Sequence, residues 1–173
     1  LCFKEDISYY IPINHTTIDG SKKIENQLEE KYVINHIKKI CENESILKIG
    51  QNIKYDIRIL NKYGVEVRGF HDTMLMSYVL DAGVNRHNMD ELANIHLNRE
   101  TIKFKDIVGS GKSQITFDKV KIDDALNYAA EDAEITYKLY LFLKKRVQQE
   151  KGNYIYTNIC LLYTSPSPRD CDR

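Results

Sequence analysis

The sequence predicts an α/β domain in which a mixed sheet is flanked by helices. Three observations carry that prediction. β-Branched and aromatic residues gather near the start of the chain, short apolar runs alternate with helical periodicities, and a long amphipathic pattern follows. At 173 residues the chain suits one domain with a core large enough to fold unaided.

Residues 7–13 (Ile-Ser-Tyr-Tyr-Ile-Pro-Ile) read as a strand. Residues 1–4 read as the end of its hairpin partner, and Glu5-Asp6 as the turn. A helix is expected from Asp19-Gly20-Ser21 to about Glu42, with Ile24, Leu28, Tyr32, Ile37 and Ile40 at helical spacing. Residues 46–49 form a short strand ended by Gly50. Residues 52–63 return to a helical pattern, with Ile53, Ile57 and Leu60 on one face and Gly64 closing it. Residues 65–70 fit another short strand. Asp72 caps a helix holding Met74, Leu75, Tyr78, Val79 and Leu80, and residues 88–97 form a further short helix. Residues 99–121 read as a polar, Lys-bearing connector with two apolar islands. The last helix is expected from about Asp123 to Glu150, burying Ala125, Leu126, Ala129, Ala133, Tyr137 and Leu141.

Lys plus Arg and Asp plus Glu number 25 each, so a nucleic-acid ligand would be held by a local patch and not by bulk charge. No apolar run approaches the roughly 20 residues of a membrane helix, and the first residues lack a signal-peptide pattern. A soluble, intracellular protein is expected. Residue 1 is Leu, and Leu1-Cys2-Phe3 reads like mid-strand. Residues 160–170 (Cys-Leu-Leu-Tyr-Thr-Ser-Pro-Ser-Pro-Arg-Asp) resemble the translation of a sequencing-library adapter, so residues 160–173 are set apart from the fold as an expected artefact. Cys2 and Cys41 then remain, too few for a disulfide framework or a Cys₄ zinc site.

Residues 108–113 (Val-Gly-Ser-Gly-Lys-Ser) superficially suggest a phosphate-binding loop. The motif needs Gly five residues before its final Gly-Lys, where this chain has Asp106. His15, His36, His71, His87 and His96 show no metal-binding spacing, and no Gly-x-Ser-x-Gly elbow occurs.

Two segments carry acids among apolar neighbours. Gly50-Gln51-Asn52-Ile53-Lys54-Tyr55-Asp56 follows a strand, and Tyr128-Ala129-Ala130-Glu131-Asp132 lies inside the last helix. Asn52 and Asp56 are four apart, as are Tyr128 and Asp132, so each pair is expected on one helix face. Taken alone, such acids are as compatible with a solvated surface. Residues 48–56, Asp72-Thr73-Met74-Leu75, Arg86-His87-Asn88-Met89-Asp90 and residues 128–132, in this order, resemble the proofreading 3′→5′ exonuclease domain of bacterial family A DNA polymerases. The likeness runs over about residues 1–147. Residues 154–159 resemble the passage into a polymerase domain, which makes 1–150 the exonuclease part and 151–159 the start of a linker.

The resemblance implies a ribonuclease-H-like (DnaQ-like) fold and hydrolysis of a terminal phosphodiester at a single-stranded DNA 3′ end. Two divalent ions, Mg²⁺ or Mn²⁺, would serve it, roughly 3.5–4 Å apart. Hard cations prefer carboxylate oxygens, which fits acids as carriers. By the resemblance, Asp56 is a ligand of the leaving-group metal and Asp132 of the water-activating metal, while Tyr128 orients the attacking water. Gln51, Asn52 and Tyr55 line the single-strand cleft, Arg86 contacts phosphate, and Phe104 packs on the terminal nucleotide. Plain core packing is an equal reading for Phe104, and Asp72 is assigned to capping. The further partner implied is a polymerase domain of the same parent chain, in a bacterial cytoplasm. The family also places an Asp-x-Glu pair on a first, central strand, and no Asp-x-Glu in strand context occurs in this chain. The chain alone is therefore expected to be poorly folded and inactive, with activity in its parent. Three alternatives stay open: a non-catalytic domain bracing a polymerase, a stand-alone nuclease of the same superfamily, and a helical interaction domain.

Overall fold

The computed structural model describes residues 1–164. Two short ladders occur where one mixed sheet was expected. Strands β1 (Cys2–Lys4) and β2 (Ile7–Ser8) pair antiparallel. Strands β3 (Lys48–Gly50) and β4 (Phe70–Asp72) pair parallel, Lys48 opposite Phe70 and Gly50 opposite Asp72. The Glu5-Asp6 turn forms as expected, with Asp6 in the left-handed region at φ 62°. The strand expected over 7–13 stops after Ser8, and two further bonds (Tyr9 N–H to the Leu1 carbonyl and the Leu1 amino group to the Tyr9 carbonyl, 2.7 Å each) extend the pairing before Pro12, which has no N–H to donate. The strand expected over 65–70 begins only at Phe70. Val65 is buried, but its N–H closes onto the Leu60 carbonyl at the end of the preceding helix.

The largest departure is the first helix. It was expected from residue 19, yet α1 spans Glu30–Cys41. Side chains upstream compete with the helix for backbone partners. Asp19 accepts from the Ser21 N–H and hydroxyl, and Gln27 bonds the His15 N–H and the His15 and Ile24 carbonyls. The buried positions of α1 are Val33 and Cys41, while Leu28 and Tyr32, expected inside, are exposed.

Helix α2 (Ile53–Lys62) ends at Gly64, whose φ of 69° suits only a residue without Cβ strain. Helix α3 (Thr73–Asp81) follows β4 directly, and α4 (Met89–Leu97) is capped by the Asn88 side chain accepting the Glu91 N–H at 2.9 Å. The connector holds α5 (Phe104–Val108) and two 3₁₀ turns, Gly111–Ser113 and Phe117–Lys119. Helix α6 (Ile122–Gln149) is about 42 Å long at 1.5 Å per residue.

Helix α6 organises both cores. Its Ile135, Leu139, Tyr140, Leu143 and Val147 pack with Met76, Leu92, Ala93 and Tyr156. Its Ala125 joins Val108 and Val120, the apolar islands of the connector, in a smaller cluster with Ile107, Ile115 and Phe117. Of the inward positions expected on this helix, Ala125 is buried and Leu126 exposed; Ala129, Ala133 and Tyr137 line an open groove instead. The core face lies one step around the helix because α3 and α4 approach it from that side. A bidentate pair, Arg146 to Asp81 at 2.7 and 3.1 Å, bolts α3 to α6. Beyond α6, a turn at Asn153–Ile155, a π-helical turn at Tyr156–Cys160 and a turn at Leu161–Thr164 return to the core, where Cys160 and Leu161 pack. Residues 165–173, the rest of the segment set apart in sequence, lie outside the described residues. No helix among the described residues is long and apolar enough to cross a membrane.

Candidate functional site

A groove of about 730 Å³ runs between β1 and β3, floored by α6. Leu1, Cys2 and Phe3 form one wall, residues 46–51 the other, and Ile40, Asp56, Met89, Ala129, Asp132, Ala133, Thr136 and Tyr137 the remainder. Asp56 and Asp132, 76 positions apart in sequence, thus reach one cavity.

The route that delivers Asp56 begins at Gly50. A Cβ there would lie 2.7 Å from the Ile53 side chain, so glycine alone lets β3 turn so tightly into α2. Asn52 takes the turn in the left-handed region at φ 56°, which Asn tolerates better than most residues. Asn52 is therefore the residue before α2, and it does not share a helix face with Asp56 as expected. The buried Asp72 carboxylate holds this turn. It accepts the Asn52 and Ile53 N–H groups at 3.0 Å each and the Met74 N–H at 2.9 Å, capping α2 and α3 together. Asp72 is itself fixed from behind: its backbone N–H donates to the Tyr156 hydroxyl at 3.0 Å, and that hydroxyl also meets His71 Nδ1 at 3.0 Å. The capping role read from sequence is present, doubled.

Burial pushes the Asp56 carboxyl up to about 6, with the Asp72 charge adding to the rise. Asp56 nonetheless opens onto the groove and is reached by water. Asp132 is pushed up to about 6, chiefly by burial; hydrogen bonding by Tyr128 partly offsets this, and Glu131 and Asp90 add to it. Its Oδ1 is buried with no hydrogen-bond partner among the described residues. Tyr128, one turn earlier on α6, has its hydroxyl raised by burial first and by the Asp132 charge second, so it stays protonated and can donate. The expected sharing of a face by Tyr128 and Asp132 holds.

The other expected residues divide. Gln51 lines the groove, but its amide is consumed internally: Nε2 donates to the His87 carbonyl at 2.8 Å and Oε1 accepts from the Thr73 hydroxyl. Tyr55 is 65% exposed at the start of α2, and Arg86 is exposed in the loop before α4. Phe104, 47% exposed, lies 5.8 Å from the Tyr128 ring and 6.1 Å from Phe117, so it is part of an aromatic cluster with one side open. Sequence reasoning gave no role to Asp90, whose charge acts on both Tyr128 and Asp132 and which accepts the Thr101 hydroxyl at 2.7 Å. Glu131 was read with an ordinary polar helix face, and Tyr156 was given no role at the site. The signal for Glu131 was its cationic counterpart, Arg99, in the connector.

The donor chemistry suits a hard divalent cation: two carboxylates on one groove, one with an unpartnered buried oxygen, each acted on by further acids. Among the described residues, however, no group of three or more His, Cys, Asp or Glu is placed to hold a metal ion. Two carboxylates are thus part of a site and not a closed cage.

A model of the 3′-5′ exonuclease family matches residues 3–148. The chain belongs to this family. It is 46% identical over 154 residues to DNA polymerase I of Rhizobium leguminosarum, an alignment covering 87% of the chain and 15% of that protein. It is 40% identical over 148 residues to DNA polymerase I of Pseudomonas aeruginosa, covering 84% of the chain and 16% of the relative. The chain therefore spans about 15% of the length of these relatives. The structure of NrnC from Brucella melitensis superposes with a TM-score of 0.57 at 19% identity, over 79% of this chain and 69% of that one. The fold is the ribonuclease-H-like, DnaQ-like α/β exonuclease fold expected from sequence, and exonuclease domains of this type work with divalent metal ions.

Proposed function

We propose that this domain serves 3′→5′ exonucleolytic hydrolysis of single-stranded DNA 3′ ends, as the proofreading module of a polymerase-I-like bacterial cytoplasmic parent whose polymerase domain is its partner. The supporting observation is the groove that Asp56 and Asp132 share, with the Asp132 Oδ1 buried and unpartnered. Asp56 would be a ligand on the leaving-group side and Asp132 on the water side. Two Mg²⁺ or Mn²⁺ ions, when bound, supply Lewis-acid polarisation of the phosphate and a lowered water pKa. The protonated Tyr128 hydroxyl orients the attacking water. Asn52 and Tyr55 face the strand, Gln51 shapes the cleft by pinning the end of β3 to the His87 carbonyl beside Arg86, Arg86 meets phosphate, and Phe104 packs on the terminal base.

Two carboxylates fall short of the donors two ions require. The groove is bounded on one side by β1 and on the other by β3, and among the described residues neither strand has a ladder partner facing across it. An extended acid-bearing segment seated there would pair with both edges and add the missing ligands. The chain alone is then expected to digest a single-stranded oligonucleotide slowly or not at all with Mg²⁺, and supplying such a strand by extension should restore digestion. Asp132→Ala in the extended protein should lower the rate by about 10³-fold or more. Robust digestion by the chain alone would overturn the need for added acids, and digestion indifferent to Asp132→Ala would overturn the site.

A further inference from the structure

Glu131 stands beside Asp132 on α6, yet neither of its carboxylate oxygens is open to a ligand. Oε2 accepts the Ile102 backbone N–H at 2.7 Å, and Oε1 lies 3.3 Å from Arg99 Nη2. Its side chain is only 13% exposed, and Arg99 is held from a second side by Glu134 at 2.9 Å. These bonds fasten residues 99–102 to one turn of α6, and Phe104 opens α5 two residues further on. From that anchor the Phe104 ring reaches Tyr128 at 5.8 Å, while Phe117 sits 6.0 Å from Tyr128 and completes the aromatic wall. The start of α5 has no side-chain cap of its own, since Lys103 supplies none. Downstream, Val108 is buried with Ala125 and the half-buried Ile107 and Ile115 pack against them, so the connector is tied at both ends with Phe104 between them.

We infer that Glu131 is a positioning residue that folds the connector onto α6 and so sets the grip of Phe104 on the terminal nucleotide. The inference rests on the exonuclease reading, because the nucleotide comes from it. Charge at Glu131 matters less than its acceptor: the part-buried N–H···O bond from Ile102 is the part that a neutral amide reproduces, whereas the Arg99 pair, 38% exposed on the Arg side, is weak.

The test is binding of a fluorescein-labelled single-stranded (dT)₈ by anisotropy, in the protein extended with the acid-bearing strand described above, with amide exchange at Ile102 followed in parallel. Glu131→Ala should weaken binding about tenfold, the loss of roughly one stacked base, and should expose the Ile102 amide to exchange. Glu131→Gln should retain binding within about threefold and keep the amide protected, which separates the acceptor from the charge and guards against a misfolded alanine variant. Phe104→Ala should match Glu131→Ala, and the double variant should be no weaker than either single one. Additive losses in the double variant would show Glu131 acting elsewhere and overturn the inference. So would unchanged binding in Glu131→Ala. Absence of any binding by the unsubstituted protein carrying the added acid-bearing strand would overturn the exonuclease reading and the grip with it, an outcome distinct from additive losses.

Discussion

The two sides of the groove are built to different standards. On the helical side, α6 meets α3 and α4 through Leu92, Ile135, Leu139 and Leu143, all at 0% exposure. On the strand side, Phe3 is 62% exposed and Tyr32 54%, and Leu1, Tyr9, Leu28 and Leu47 are also open to solvent. A few isolated exposed apolar groups would be ordinary, but here they line adjoining grooves that share Leu1, Phe3 and Ile40. The helical side already has the packing of a finished core. The strand side has apolar surface and unpaired strand edges that a further chain segment would cover. Tyr128 and Asp132 stand on the finished side, and Asp56 reaches them through a turn held by a carboxylate and not by the sheet.

Substitutions should separate the two sides most clearly in stability. Leu143→Ala removes a wholly buried side chain and should lower unfolding free energy by about 3 kcal/mol in urea titration. A loss below about 1 kcal/mol would mean that the helical core is no better packed than the strand side. Asp72→Ala comes next. It strips the acceptor from three N–H groups at the ends of α2 and α3, and about 2 kcal/mol should be lost, with the Asp56 pKa falling as the Asp72 charge goes. NMR titration of the Asp56 carboxyl measures the second effect directly.

Acidity gives a smaller, signed effect. Asp56 and Asp132 hold their protons to about pH 6, whereas in the unfolded chain they release them near the ordinary carboxylate value. Between those limits the folded state binds more protons, so stability should rise as pH falls from about 6 towards 4. Water reaches the groove, so the gain should be on the order of 1 kcal/mol and not the full value of two shifted acids. Asp132→Asn should flatten this slope, and an unaltered slope would mean that the acid is not held in the environment described. Below that window the trend reverses, as Asp81 and Glu134, held low by Arg146 and by Lys138 and Arg99, take up protons. Smallest of all, Leu28→Ser on the open side should change stability by no more than about 0.5 kcal/mol. A loss comparable to that of Leu143→Ala would erase the contrast.

Much of the helical side was legible in sequence because its signals are local. The Asp72 cap, the Asn88 start, the Gly64 stop and the length of α6 each depend on residues within a turn of one another. The strand side was legible only in part. Residues 7–13 have the composition of a strand, but ladder length depends on what lies alongside, and composition is silent about that. The premature start assigned to α1 has a similar origin: Gln27 bonds His15 twelve positions away, a partner that periodicity cannot reveal. At the site, the spacing of four placed Tyr128 and Asp132 on one helix face, and the family resemblance supplied the roles expected of them. The parts played by Asp90, Glu131 and Tyr156 were not legible, since each acts through a residue far along the chain.

The Tyr156 hydroxyl lies 84 positions beyond the Asp72 amide it meets. Closing so long a loop costs chain entropy before any bond forms, so this contact belongs to the late stages of folding. The carboxylate that orders the α2 turn is thus seated last, after α6 has packed. The order of assembly follows: helices first, and the Asp72 turn that carries Asp56 afterwards. In a pulse-labelled exchange experiment, the Asp72 and Ile53 amides should gain protection after the amides of α6, and protection gained together would refute that order.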